Sequence, residues 1–206
     1  MLFLVSLAAA TPTTEPADAP PITVSVDPRD PVIGAASARF TLAEFSDFQC
    51  PHCAGAWKPV ESYIGNHKDV RLVFMSYPIS DACNPAVEGL RHENACYAAR
   101  AAICANEQGK FSALAGQMFG NQDFLSPEQV AFMADKVGIK AKPFAECLSA
   151  KSTSDLVARD VDTAVAAAIE GTPTFFLRDG AGPWRLQTAG VPAMLAGIDS
   201  ARGAPK

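Results

Sequence analysis

The feature that most constrains this chain is the stretch Phe45-Ser-Asp-Phe-Gln-Cys-Pro-His-Cys53, which joins a strand pattern to a helix pattern through two cysteines. Upstream, residues 40–45 (FTLAEF) form a mostly apolar run, typical of a strand buried on both faces. The residues after Cys53 continue without turn signals and predict a helix. Cys50 then falls near the N-cap and Pro51 at the first helical position, where a proline fits because the amide hydrogen that it lacks would be unpaired.

This placement predicts different roles for the two thiols. The free amides of the first helical turn and the positive end of the helix dipole favour a negative sulfur at Cys50, so we expect Cys50 to be the nucleophile and Cys53 its resolving partner. His52 adds an imidazole that can donate a hydrogen bond to the thiolate or carry positive charge. Cysteines in such motifs have pKa values of about 3.5–7.5. A stabilised thiolate favours the reduced state, so the pair is expected to oxidise other thiols.

The composition limits the classes of function. A chain of 206 residues with 49% hydrophobic and 19% charged residues predicts one globular domain with a sizeable core. The net charge is −5, and the Lys and Arg residues are scattered rather than clustered. No nucleic-acid partner and no anionic membrane surface is therefore expected.

The N-terminal residues indicate export. Residues 1–10 form an apolar run that ends in three alanines and resembles the remnant of a signal peptide, although the usual positive charge is missing. The alternative is a disordered apolar leader. Residues 11–21 are rich in Thr, Pro and Ala and predict a linker. Because six cysteines suit an oxidising compartment, we expect a periplasmic or otherwise extracytoplasmic protein.

The remaining pattern predicts the order βαβ, helical block, ββα. An edge strand is expected at residues 22–26 and a second strong strand at 70–77, parallel to the first through a right-handed crossover. Pro59 is expected to kink or end the first helix. Helices are predicted at residues 86–107, 110–119, 127–137, 143–150 and 154–170. Strands return at 172–177 and 184–188, and a closing helix is predicted at 191–201.

With these elements in place, the sequence resembles the thioredoxin-fold disulfide oxidoreductases, most closely the DsbA-type branch. The resemblance rests on Glu44, on Cys50-Pro-His-Cys53, on Gly171-Thr-Pro-Thr-Phe175 and on the helical block between them. It covers roughly residues 22–200. It implies an α/β, thioredoxin-like domain in residues 22–206, with an all-helical insertion at about 84–170 between the βαβ and ββα halves.

The resemblance also implies roles for residues outside the cysteine motif. Pro173 is expected to be a cis-proline that faces the active disulfide and leaves the backbone of Thr172 free to pair with an extended substrate. The alternative is an ordinary edge-strand proline. Glu44 matches a buried carboxylate that relays a proton to Cys53, the alternative being a structural acid. Asp47 competes for that role but is expected to cap the turn.

Four further cysteines lie in the predicted insertion. Cys83 and Cys96 resemble an additional pair found in one subgroup, and a bridge between them would close a loop of about 14 residues, worth about 3 kcal/mol. We expect a structural disulfide whose removal hardly changes thiol oxidation; a second redox relay is the alternative. Cys104 and Cys147 could pair or stay free, and the sequence leaves both open. His92 is either a surface residue or a neighbour of the first pair.

The first functional hypothesis is an exported enzyme that oxidises cysteines in unfolded or reduced exported proteins through Cys50 and Cys53. The resemblance implies a membrane quinone-linked protein that reoxidises it, and no cofactor or metal. A reductase or isomerase on the same fold is the nearest alternative, since related isomerases also carry threonine at the position of Thr172. A metal-binding protein using Cys50, Cys53 and a histidine is a weaker alternative, because a second ligand pair at zinc spacing is missing.

Overall fold

The computed structural model describes residues 22–89 and 91–203, in which a five-stranded sheet forms the centre. The strands are β1 (Val32–Ile33), β2 (Phe40–Ser46), β3 (Val70–Ser76), β4 (Thr174–Asp179) and β5 (Arg185–Gln187). They lie in the order β1-β3-β2-β4-β5. β2 and β3 run parallel, and every other pairing is antiparallel. Because β2 is central, all seven of its residues are buried.

Seven helices surround this sheet in the described part of the chain. They are α1 (Pro51–Asn66), α2 (Ala95–Glu107), α3 (Phe111–Phe119), α4 (Pro127–Lys136), α5 (Ala141–Ser149), α6 (Lys151–Ala166) and α7 (Val191–Gly203). Helices α2 to α6 all lie between β3 and β4 in sequence. The predicted fold class, a thioredoxin-like α/β fold with an all-helical insertion, is confirmed. In residues 22–89 and 91–203, no helix is both long and apolar enough to cross a membrane.

The two faces of the sheet carry separate apolar cores, because side chains alternate along each strand. Leu42 and Phe74 belong to the larger core, which includes Trp57 of α1 and residues from α2 to α5 and α7. Phe45 and Phe176 belong to the second core, together with residues of α6. Within β2, alternation therefore puts Glu44 and Ser46 on the same face as Leu42 and α1.

An aromatic cluster fixes the loop that leads from β2 into α1. Phe48 of this loop stacks on Phe74 of β3, with ring centroids 4.9 Å apart, and packs at a tilt against Phe119 of α3 at 4.7 Å. Trp57 packs against Phe119 and against Phe111, at 5.2 and 5.7 Å. Such contacts are worth about 0.5–1.5 kcal/mol each beyond the apolar area that they bury. The insertion therefore helps to hold the start of α1 in place.

In the first half, one predicted strand is wrong, and one of the two outcomes expected at Pro59, the end of the helix, is excluded. The predicted edge strand at 22–26 does not form, because β1 at Val32–Ile33 pairs with the outer edge of β3 instead. Val24 is nonetheless buried in the second core, which explains the apolar alternation. Helix α1 does not end at Pro59 but continues to Asn66. Its buried face, which includes Val60, continues beyond the proline, and this packing offsets the lost hydrogen bond.

The helix predicted at 86–107 begins only at Ala95. Upstream, the buried side chain of Asn84 donates to the Pro78 carbonyl (2.8 Å) and accepts from the Ala86 N–H (3.0 Å). Local side-chain bonds of this kind compete with helix formation. The other predicted helices shift by a few residues, most of all α6, which runs from Lys151 to Ala166 rather than from 154 to 170. The proposed leader (1–10) and linker (11–21) lie outside the described residues.

Candidate active site

Cys50 and Cys53 lie at the junction between the central strand and α1. Cys50 is the N-cap residue, with an extended backbone (φ −79°, ψ 120°), and Pro51 opens the helix. Both thiols are free. Cys50 retains 7% of its surface accessible and Cys53 has none, so an incoming sulfur can reach only Cys50.

The pKa of Cys50 is lowered to about 5 by hydrogen-bond donors that surround its sulfur. The largest contribution comes from the Cys53 thiol, and the Thr172 side chain adds to it. The backbone N–H groups of Cys53 and His52 also lower it, although neither makes a full capping hydrogen bond with the sulfur. Partial burial acts in the opposite direction and is outweighed. Cys50 is therefore a thiolate at neutral pH.

Thr172 lies across from Cys50 in the loop before β4. The Cys50 sulfur is 3.4 Å from the Thr172 carbonyl oxygen, which can accept the proton of the neutral thiol. That contact favours the thiol and the Thr172 side chain favours the thiolate, and the low pKa indicates that the donors dominate. The Thr172–Pro173 peptide bond is cis. The structure therefore brings together two segments separated by 122 positions in the sequence.

The pKa of Cys53 is shifted in the opposite direction because this thiol is completely buried. Burial raises its pKa, and so do its hydrogen bond to Cys50 and the negative charge of Glu44. The backbone of Asp47 and the hydroxyl of Ser46 lower the pKa without offsetting the burial. In the reduced protein Cys53 therefore keeps its proton.

Glu44 is completely buried, and burial raises its pKa to about 8. Neither carboxyl oxygen has a hydrogen-bond partner in the described part of the chain, and the same is true of the Ser46 hydroxyl. The nearby Ser46 hydroxyl nevertheless lowers the pKa of Glu44, and the negative charge of Cys50 raises it. At neutral pH the acid is mostly protonated and can give a proton to a neighbouring group.

Asp47 caps the turn before α1, as the sequence predicts. Its side chain has no exposed surface, and it accepts hydrogen bonds from the Gln49 N–H (2.7 Å) and the Ile79 N–H (2.6 Å). His92 adds a third bond through Nδ1 at 2.8 Å. His92 is thus neither a free surface residue nor only a neighbour of the Cys83–Cys96 pair.

The helical insertion contacts the active-site loop through residues that no sequence motif predicts. The Gln122 side chain donates to the carbonyl oxygens of Phe48 (2.7 Å) and Cys50 (2.9 Å). The Gln49 side chain accepts from the Asn94 N–H at 2.7 Å. No motif marks these side chains, because each contact joins positions 45 to 74 residues apart.

His52 is exposed, and its ring has no hydrogen-bond or ion-pair partner among the described residues. In this structure its contribution to the low pKa of Cys50 comes from the backbone N–H. The remaining cysteines form the disulfides Cys83–Cys96 and Cys104–Cys147. Residues 22–89 and 91–203 hold no group of three or more His, Cys, Asp or Glu side chains that could bind a metal ion.

A groove of about 690 Å³ runs beside the Cys50–Thr172 contact. It is lined by the loop that carries Thr172 and Pro173 and by Leu186 and Gln187 of β5. β5 is the edge of the sheet on this side, and Leu186 is 42% exposed. The groove therefore lies along the open edge of the sheet, next to the loop that carries Thr172.

Known proteins similar to this chain include members of the thioredoxin family. A family model described as thioredoxin matches residues 26–182. The Na⁺/H⁺ antiporter NhaA 3 of Salinispora tropica is 33% identical over 89% of this chain and 27% of its own length. The antiporter NhaA of Herminiimonas arsenicoxydans is 31% identical over 74% of this chain and 23% of its own length. This chain thus spans about a quarter of the length of these curated relatives.

Solved structures share the fold over most of the chain. A thioredoxin-like oxidoreductase from Silicibacter pomeroyi is 26% identical, with a TM-score of 0.69 over 87% of this chain and 95% of its own. The thiol-disulfide exchange protein alpha-DsbA2 from Wolbachia pipientis is 17% identical, with a TM-score of 0.68 over 85% and 88%. Oxidised BdbD from Bacillus subtilis is 19% identical, with a TM-score of 0.65 over 84% and 92%.

Proposed function

The chain belongs to the thioredoxin family and has the fold of its DsbA-type members, and from this we propose that it is an exported protein thiol–disulfide oxidoreductase. In this proposal the Cys50–Cys53 disulfide is transferred to cysteines of reduced or unfolded exported proteins. The transport activity named for the antiporter relatives is not part of it, because only about a quarter of their length is matched.

The proposal rests on one observation: the pKa values of the two thiols are shifted in opposite directions. The pKa of Cys50 is lowered to about 5, whereas that of Cys53 is raised. A thiolate on Cys50 stabilises the reduced enzyme at every pH above about 5. Stabilising the reduced form makes the disulfide a stronger oxidant, since a tenfold change in the equilibrium constant is about 30 mV for two electrons. The lowered pKa of Cys50 therefore favours an oxidant over the reductase or isomerase alternative.

The reaction begins when a substrate thiolate attacks the sulfur of Cys50. The Cys50–Cys53 bond breaks, and its electron pair leaves on Cys53. Because the pKa of Cys53 is high, this sulfur leaves readily only if it gains a proton. Glu44 is buried nearby and mostly protonated at neutral pH, and it supplies that proton directly or through a water molecule.

The second step releases the substrate. A second substrate thiolate attacks the substrate sulfur of the mixed disulfide, and the electron pair leaves on Cys50. Cys50 is a good leaving group because its pKa is low. The substrate has then lost two electrons and two protons, and the enzyme is reduced. We further propose that a membrane quinone-linked protein reoxidises it.

The substrate chain binds along the loop before β4. The backbone of Thr172 lies next to Cys50, and Thr172 also lines the groove bordered by Leu186. An extended peptide can pair with the backbone there, as in strand addition to a sheet edge. Pairing through the backbone does not depend on the side chains of the substrate, which suits an enzyme acting on many unfolded proteins.

The test is a redox titration of Cys50–Cys53 against glutathione, followed by oxidation of a reduced, unfolded protein. We expect a potential closer to the oxidising end of the family range, about −120 mV, than to its reducing end, about −270 mV. Rapid disulfide formation in the substrate should accompany it. A potential near the reducing end, with reduction of a disulfide-containing substrate, would favour the reductase alternative.

A further inference from the structure

The side chain of Asp47 connects the active-site loop to a loop of the insertion. It is fully enclosed and accepts hydrogen bonds from the Gln49 N–H, the Ile79 N–H and His92 Nδ1, at 2.7, 2.6 and 2.8 Å. A carboxylate can only accept, so Nδ1 of His92 carries the proton. Removing one donor from a buried carboxylate leaves the desolvated group partly unpaired, which is costly.

His92 is held in place by a closed loop. The disulfide Cys83–Cys96 spans a sequence separation of 13 and encloses His92. The N–H of His92 donates to the Ile79 carbonyl at 3.1 Å, and the next contact along the chain joins the Asn94 N–H to Gln49. The loop therefore contacts the active-site segment at Asp47 and at Gln49.

Asp47 in turn contacts both active cysteines through its backbone. Its carbonyl oxygen accepts from the Cys50 N–H at 3.1 Å. Its backbone N–H faces the Cys53 sulfur. A displacement of Asp47 therefore moves the N-cap position of Cys50 and removes a donor from Cys53. Hydrogen-bond geometry around the Cys50 thiolate and the Cys53 thiol depends on such fixed donors.

We propose that His92 is a positioning residue for the Cys50–Cys53 pair, and that the disulfide Cys83–Cys96 sets the redox equilibrium of that pair by holding His92 against Asp47. This rests on the proposed function only in taking Cys50–Cys53 as an exchangeable disulfide. It replaces the sequence-based expectation that loss of Cys83–Cys96 hardly changes thiol oxidation. The disulfide Cys104–Cys147 joins α2 to α5, and neither of its cysteines closes the loop that carries His92.

The first experiment measures the equilibrium of disulfide enzyme plus two glutathione with dithiol enzyme plus glutathione disulfide. H92L should lower the equilibrium constant for reduction five- to tenfold, about 20–30 mV at 29.6 mV per tenfold change. H92N keeps an N–H donor near the position of Nδ1 and should stay within twofold of wild type. H67L is the matched control: His67 is as buried as His92 but lies at the far end of α1, and its constant should not change.

The second experiment compares the two disulfides of the insertion. C83S/C96S should lower the equilibrium constant for reduction by glutathione as H92L does, whereas C104S/C147S should have the wild-type constant. Equal constants for H92L, H92N and wild type would overturn the proposal, as would equal changes in both disulfide variants. If H92L does not fold, the disulfide comparison decides alone. Wild-type protein that fails to exchange with glutathione would instead refute the proposed function, so the two failures are distinguishable.

Discussion

Cys53 and Cys104 are both almost fully buried, with 0% and 1% of their surface exposed, yet their surroundings differ sharply. Cys104 lies in an apolar helical core and is closed in a disulfide with Cys147. Cys53 lies beside a second thiol, a buried acid and a helix N-terminus. Burial alone therefore does not decide whether a cysteine is structural or reactive. The donors and acids around the sulfur decide it.

The largest expected difference concerns trapping of substrate. Cys53→Ala, first converted by glutathione disulfide to a mixed disulfide at Cys50, should exchange the glutathione for a reduced substrate with a single cysteine. The new mixed disulfide should accumulate, because the resolving thiol is gone. Cys50→Ala should trap less than about a tenth as much, because Cys53 is enclosed and protonated. Non-reducing gel electrophoresis after acid quenching measures both. Cys104→Ala/Cys147→Ala is the control and should trap nothing; equal trapping by the two single variants would contradict the assigned roles.

The two disulfides of the insertion should differ in stability. The bridges span sequence separations of 43 and 13. In the chain-entropy model the Cys104–Cys147 bridge is worth about 4 kcal/mol and Cys83–Cys96 about 3 kcal/mol. Urea unfolding of Cys104→Ala/Cys147→Ala and Cys83→Ala/Cys96→Ala gives the comparison. The reverse order would show that native contacts, rather than loop length, determine the loss.

Glu44 should destabilise the fold as the pH rises. Its pKa in the folded protein is about 8, above the ordinary value of 4.5, so the folded state binds more protons between these limits. Stability is therefore lost as the pH rises through that range. Glu44→Gln should increase the free energy of unfolding by up to about 3 kcal/mol at pH 7 and hardly at pH 4.5.

Glu146→Gln, at an exposed acid of α5, is the matched control for this pH dependence. It should leave the free energy of unfolding unchanged at both pH values. Glu44→Gln should also slow oxidation of substrate at pH 7, because the proton donor for Cys53 is lost. A stability change of the same size at both pH values would contradict the buried, protonated acid.

The smallest expected effect concerns His52. The sequence assigns much of the low pKa of Cys50 to its imidazole, but the ring is exposed and its backbone N–H makes the contribution. Alanine keeps that N–H, so His52→Ala should raise the pKa of Cys50 by less than about 0.7, the size expected from an exposed charge. Thiolate absorbance measures this. A rise to the ordinary thiol range would restore the larger role of the imidazole.

The local part of the site was predictable from the sequence. The strand, Pro51 and the helix place Cys50 at the N-cap because each depends on neighbouring residues. Alternation along β2 places Glu44 on the sheet face that α1 covers, and in the structure Glu44 lies on that face. The pairing of Cys104 with Cys147 was left open, because two cysteines on separate helices give no local signal of contact.

Contacts between the helical insertion and the active-site loop were not predictable. Gln122 and His92 reach the active-site loop from positions 72 and 45 residues away, and neither carries a periodic or motif signal. The false strand at 22–26 has a related cause. Val24 packs onto the sheet face, and this produces the same alternation as a paired strand. Apolar alternation reports burial on one side and does not identify the backbone partner.

The central claim is that one of two neighbouring thiols is ionised while the other is not, and ultraviolet absorbance of thiolate against pH tests it most directly. In the reduced protein, with both other disulfides intact, we expect one thiolate to appear with a midpoint at about pH 5 and no second one up to pH 9. A single midpoint near about 8.5, the value of an ordinary thiol, would contradict the account.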